Sequence, residues 1–204
     1  MTCSIVSEFT LRPYRWAFAI ARLAFISATL LRGLHETHDI KKEKIDNFLN
    51  SIYSPLSEFK TDLYNLKNKK ITKAFFLKKY GHLRPGTYDI TVSRYDHMPE
   101  FLEDLMLMDT KLPIKTSESM NYSKIENIIK TNNLNFHQLE FFEFVKKTIS
   151  LREIIKFEFT KSLSDLIELI ADAGNILGFS RQDLSYLSIC DIFKYNTMTK
   201  NELK

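Results

Sequence analysis

A histidine, two arginines and an aspartate crowd into residues 82–94. They lie within or just after the stretch KKYGHLRPGTYDI at 78–90: His82, Arg84, Asp89 and Arg94. Arginine presents a planar fork of donors that fits a phosphate or a carboxylate. Histidine can donate a hydrogen bond or move a proton near neutral pH. Held in place by Gly81, Pro85 and Gly86, His82 and Arg84 would face a pocket that receives an anionic substrate. The same residues also allow a purely structural turn. In that turn Asp89 pairs with Arg84 or Arg94, and His82 bonds a backbone carbonyl.

Two further arginines stand out. Arg22 interrupts the apolar run WAFAIARLAFISATLL at 16–31. A charge buried there needs a partner or a polar cavity, and Glu153 and Asp89 are the candidates for pairing. Arg152 precedes Glu153 on a helical segment, and adjacent residues do not share a helix face. It is the sixth candidate ligand contact. His35, His38, His97 and His137 have no metal-ligand spacing on a shared face, and the two cysteines, Cys3 and Cys190, form no zinc motif. No metal site is expected.

The elements that must position these side chains are helical. Apolar residues recur at spacings of three and four. The pattern predicts helices from Tyr14 to about His35, from Lys41 to about Leu66, from Thr72 to Tyr80, from Tyr122 to Lys130, and from Phe136 to about Leu177. Pro55 should bend or divide the second, and the last is long enough that a kink is expected. Thr72 and Ser180 are cap residues, the latter with Asp183 at capping-box distance. Pro99 to Met108 adds a helical turn or two, and Ser188 to Phe193 a final one. The phenylalanines at 136, 141, 142, 144, 157 and 159 are read as core before pocket lining. The fold class is therefore mainly all-α, a single multi-helix domain over 1–204 with one long irregular loop around residues 82–116. A loop of that length in a compact domain is functional or mobile.

Bulk properties narrow the field. The chain has 204 residues, 29 basic against 25 acidic, and five glycines. That charge balance is too mild for a nucleic-acid footprint. Lys41-Lys42 and Lys67 to Lys70 read as solvated faces. No glycines form a phosphate-cradling GxxxxGK or GxGxxG loop. The apolar run at 16–31 is short for a membrane span and carries Arg22, so it is read as a helix buried on most sides. Cytoplasmic location is expected, with no membrane and no nucleic acid as partner.

KKYGHLRPGTYDI followed by Arg94-Tyr95 resembles a motif of the phosphoenolpyruvate synthase and rifampicin phosphotransferase group. Two other stretches carry the same resemblance. One is Leu151-Arg152-Glu153 with KFEFT at 156–160, GFSR at 178–181 and DLSYL at 183–187. The other is Arg12-Pro13 followed by Phe18 to Phe25. In family order the three span nearly the whole chain. The resemblance implies a substrate-side helical domain, working with an ATP-grasp module and a mobile module that carries a phosphohistidine. Those partners lie in the same or a neighbouring chain, and the phosphoryl acceptor is a small molecule. ATP and Mg are expected for the assembled enzyme and no cofactor for this chain itself. The glycine-rich T-x-G-G-x-x-S-H-type segment does not occur in the sequence. The chain alone is expected to be catalytically inactive. The alternative is a non-catalytic helical interaction or scaffold module.

Overall fold

The computed structural model describes residues 2–38, 40–107, 122–133, 135 and 137–188, with the side chains of 2–15, 37, 38 and 122 excepted. Among the described residues all regular structure is helical. The elements are α1 (Thr2–His38), α2 (Lys42–Ser51), α3 (Pro55–Lys67), α4 (Lys73–Tyr80), a 3-10 turn (Tyr95–His97), α5 (Pro99–Leu107), α6 (Tyr122–Thr131), α7 (Gln138–Ile176) and α8 (Arg181–Ser185). The all-α expectation holds.

Local chemistry explains the boundaries. Pro55 divides the predicted second helix outright. It takes the first position of α3, where its missing N–H removes no helical bond. Ser54 and Ser57 cap that start reciprocally. Thr72 accepts from the Phe75 N–H at 3.1 Å and opens α4. Ser180 accepts from the Asp183 N–H at 3.2 Å, and the Asp183 carboxylate receives the Ser180 N–H at 2.8 Å, closing a capping box on α8. The first helix starts earlier than its apolar period implied, running back through Pro13 to Thr2. The last long helix is one uninterrupted element of 39 residues. The predicted turn at Ser188 to Phe193 falls largely outside the described residues, as do Phe136 and the loop from Met108 to Thr116.

The chain divides into two compact units, each discontinuous in sequence. One comprises the described residues of 1–70 and 109–158, the other those of 71–108 and 159–204. The first is built on a core of Leu31, Leu34, Ile45, Phe48, Ile125, Phe142 and Val145, with others around them. Phe48 meets Phe142 edge to face at 5.1 Å. Ser27 and Thr148 are both buried and share a 2.7 Å hydrogen bond. Since Thr148 Oγ1 donates to the Phe144 carbonyl, the Ser27 hydroxyl is the donor to it. Phe141 and Phe142 are core residues as the sequence implied, whereas Phe159 is 39% exposed.

One expectation is overturned. The apolar run of α1 is not buried on most sides. Ala24, Ser27, Leu31 and Leu34 face inward, while Trp16, Phe18, Phe25 and Ile26 are at least half exposed. Helical period puts only one stripe of such a run against a single core, and this unit covers only that stripe.

Candidate functional site

The segment after α4 folds into a closed turn in the second unit. Gly81 caps α4 with an ordinary right-handed backbone, so left-handed freedom is not what requires glycine there. A Cβ at Gly81 would collide with the Leu77 carbonyl oxygen and come within 2.9 Å of the Asp96 Cβ. That space lets the chain return alongside itself. The Tyr95 N–H bonds the Leu83 carbonyl at 2.8 Å, and the Asp96 N–H the Gly81 carbonyl at 3.2 Å.

Arg84 lies inside the turn. Its side chain is 1% exposed. Nη1 donates to the carbonyls of Asp89 and Val92, both at 3.1 Å. Nη2 donates to Ser164 Oγ at 3.0 Å and to Glu168 Oε1 at 2.9 Å. The Ser164 hydroxyl donates onward to the His82 carbonyl at 2.6 Å. Thus one guanidinium ties two carbonyls of the turn to α7, and the Ser164 hydroxyl ties a third. Glu168 also receives Arg181 Nη2 at 2.5 Å, and the His97 ring lies 3.6 Å away. Arg181 itself holds the Ile90 carbonyl at 3.0 Å.

Burial pulls the Arg84 guanidinium below the usual arginine range, and Glu168 pulls it back only in part. Burial also opposes the charge of Glu168. The hydrogen bond from Arg181 and the nearby charges of Arg181, Arg84 and His97 outweigh it and hold the carboxyl below its ordinary value. The Glu168 carboxyl is therefore ionised at neutral pH, where an arginine keeps its proton. Three arginines (84, 94, 181) and three carboxylates (96, 165, 168) interleave across this cluster.

The six predicted residues separate. His82 and Arg84 are both buried, at 3% and 5%. Asp89 is exposed, and its carboxylate accepts from the Thr91 N–H at 2.8 Å and hydroxyl at 2.6 Å. It thus pairs with neither arginine, and Arg84 reaches its backbone instead. Arg94 binds Asp96 at 2.8 Å and Asp165 at 2.6 Å. Arg22 and Arg152 belong to the other unit. Arg22 is exposed and forms no ion pair among the described residues, so the expected pairing with Glu153 or Asp89 does not occur. Water solvates it because the helix face it occupies is uncovered. Arg152 reaches its neighbour Glu153 at 3.0 Å and lies over the Phe25 ring at 5.4 Å.

Sequence reasoning missed Glu168, Ser164, Asp165 and His97 as members of the cluster. A signal existed. Glu168 is a lone acid in the apolar run Leu166-Ile167-Glu168-Leu169-Ile170, and Ser164 lies four residues before it on the same helix face. Among the described residues no group of three or more histidine, cysteine or acidic side chains could hold a metal.

Comparison of the chain with family models, with curated proteins and with solved structures returns no match.

Proposed function

We propose that this chain is the substrate-side helical domain of a phosphotransferase similar to phosphoenolpyruvate synthase and rifampicin phosphotransferase. An ATP-grasp module and a phosphohistidine-bearing module would complete it. The observation that carries this reading is the build of the GHLRPGTYDI turn. Arg84 braces it from inside, while Pro85, Thr87, Tyr88 and Asp89 stand exposed on its outer edge. A turn fixed by so many bonds to its own backbone offers a rigid platform to an incoming group. Rigid placement is what a phosphoryl relay needs, since positioning and charge neutralisation do most of the work. The phosphohistidine of the mobile module would split one difficult transfer into two easier ones. Arg94, Arg181 and His97, at the accessible rim of the cluster, would exchange a carboxylate partner for the acceptor's anionic group. Arg84 itself serves as a positioning residue. ATP and magnesium would belong to the partner modules.

Calorimetric titration of pyruvate, phosphoenolpyruvate and phosphate into the chain tests the reading. At least one is expected to bind at millimolar concentration. Arg94→Ala is expected to weaken that binding roughly tenfold, the worth of a charge-assisted pair at a partly exposed site. The isolated chain is expected to hydrolyse no ATP. Absence of binding by all three sinks the enzymatic reading. The interaction-module reading would then stand, favoured by the charge balance of the cluster, in which both terminal nitrogens of Arg84 are taken up by the fold.

A further inference from the structure

The outer face of α1 points to an interaction of a different kind. Phe18 is 68% exposed and Phe25 63%, with Leu23, Ile26 and Leu30 also open; Trp16, 74% exposed, lies in line with Leu34, beyond the end of the covered stripe. Several large apolar side chains left open on one helix point to an interaction site. Its charge is one-sided: from Phe9 to His35 there are four arginines (12, 15, 22 and 32) and no acidic residue. Arg22 and Arg32 are both exposed among the apolar side chains. Beside Leu30 an apolar cavity of about 340 Å³ is lined by Phe141, Phe144 and Glu140. The Glu140 carboxylate is engaged by the His137 N–H at 2.8 Å, at the start of α7.

Trp16–Glu36 is long and apolar enough to cross a bilayer by length and composition alone. Spanning would strip Leu31 and Leu34 from the core and break the Ser27–Thr148 hydrogen bond. A helix anchored along one stripe and apolar, cationic and acid-free along the other suits the plane of a membrane surface. Its arginines reach headgroups while their stems stay in the apolar layer. We propose that α1 docks this chain in the plane of an anionic lipid surface, the cavity beside Leu30 accepting part of an acyl chain. The grounds for setting a membrane aside were the short length of the run and Arg22 within it; the helix runs on to Glu36, and an exposed Arg22 suits a membrane surface although it disfavours a span.

Trp16 is the only tryptophan and, exposed on the docking helix, reports a change in its surroundings when that helix meets lipid. With phosphatidylcholine vesicles containing phosphatidylglycerol, its emission is expected to shift to shorter wavelength, and the chain to sediment with the lipid. With phosphatidylcholine alone both signals should be weaker, and added salt should erase the difference. Arg22→Glu is expected to lower partitioning about tenfold, since it reverses one charge at the surface. Phe18→Ser with Ile26→Ser should abolish the shift, with the helical circular dichroism unchanged because both side chains are exposed. Should either variant lose that helical signal, the salt dependence of the unaltered chain decides. Failure to bind anionic vesicles overturns the proposal. So does equal binding to both vesicle types at all salt concentrations. Self-association that buries Trp16 while vesicles stay unbound also overturns it, and would assign the face to a second copy of the chain.

Discussion

Arg84 and Glu168 show how far a residue type can be read. The sequence marks Arg84 as a donor fork in a tight turn. It cannot show that the fork points inward, because its partners Ser164 and Glu168 are 80 and 84 positions away. The consequence is a stability role that can be measured. Glu168→Gln leaves a nearly inaccessible guanidinium without its counter-charge, which costs about 3–5 kcal/mol when a buried pair is broken. A chemical-denaturation midpoint checks this. Arg84→Lys should also destabilise, since a point cation cannot serve two carbonyls, a hydroxyl and a carboxylate at once. Acid sensitivity follows from the same pair. The Glu168 carboxyl is held low in the folded chain, so the unfolded chain takes up its proton first. Its contribution is fully present well above the unfolded value of about 4.3, and is lost as pH falls through the folded value. Denaturation midpoints should therefore drop on acidification below about pH 4.3, and Glu168→Gln should flatten that drop. An unchanged slope would locate the acid response at the other carboxylates held low, Glu126 beside Lys130, and Asp89 and Asp183. Hydrogen bonds from Thr91 and Ser180 hold those two aspartates low.

At the scale of elements, whatever depends on neighbours in sequence was legible. Pro55 divides two helices, and Thr72 and Ser180 cap two others, because a cap needs only residues three apart. What depends on distant neighbours was not. The apolar period of α1 is equally consistent with a central helix and a peripheral one, and only the second unfolds its outer face to solvent. Gly174 is a second case. Near the end of a helical pattern it reads as a weak position, yet a Cβ there would lie 2.5 Å from Leu184 Cδ1. Ordinarily Gly→Ala within a helix gains about 1 kcal/mol. Here overpacking against α8 should reverse the sign, and Gly174→Ala should destabilise by about 1–3 kcal/mol. Adding Leu184→Ala removes the clash, so the pair should be clearly non-additive in a double-mutant cycle. If Gly174→Ala alone is stabilising, α8 yields rather than packs firmly.

The whole molecule was the least legible level. A single domain is the natural reading of 204 residues, and the helical class follows from period alone. The division into two compact units does not, because each gathers two separate stretches of chain. Their interiors differ in kind. The first unit has an aliphatic and aromatic core around Phe142 and Val145. The second has, besides Phe76, Tyr80 and Leu102, the buried Arg84–Glu168 pair. Such interiors should fail in different ways. Phe142→Ala opens a cavity costing about 3–5 kcal/mol. Its signature should be faster amide exchange in α2, α6 and the first half of α7. Glu168→Gln should instead free the amides of Tyr95 and Asp96, whose bonds close the turn. Hydrogen exchange followed by mass spectrometry reads both variants on the same peptides, and local opening of each unit separately is the expected pattern. If either substitution raised exchange equally throughout the described helices, the chain would open as one cooperative body. The two interiors would then be one folding unit despite their separate contacts.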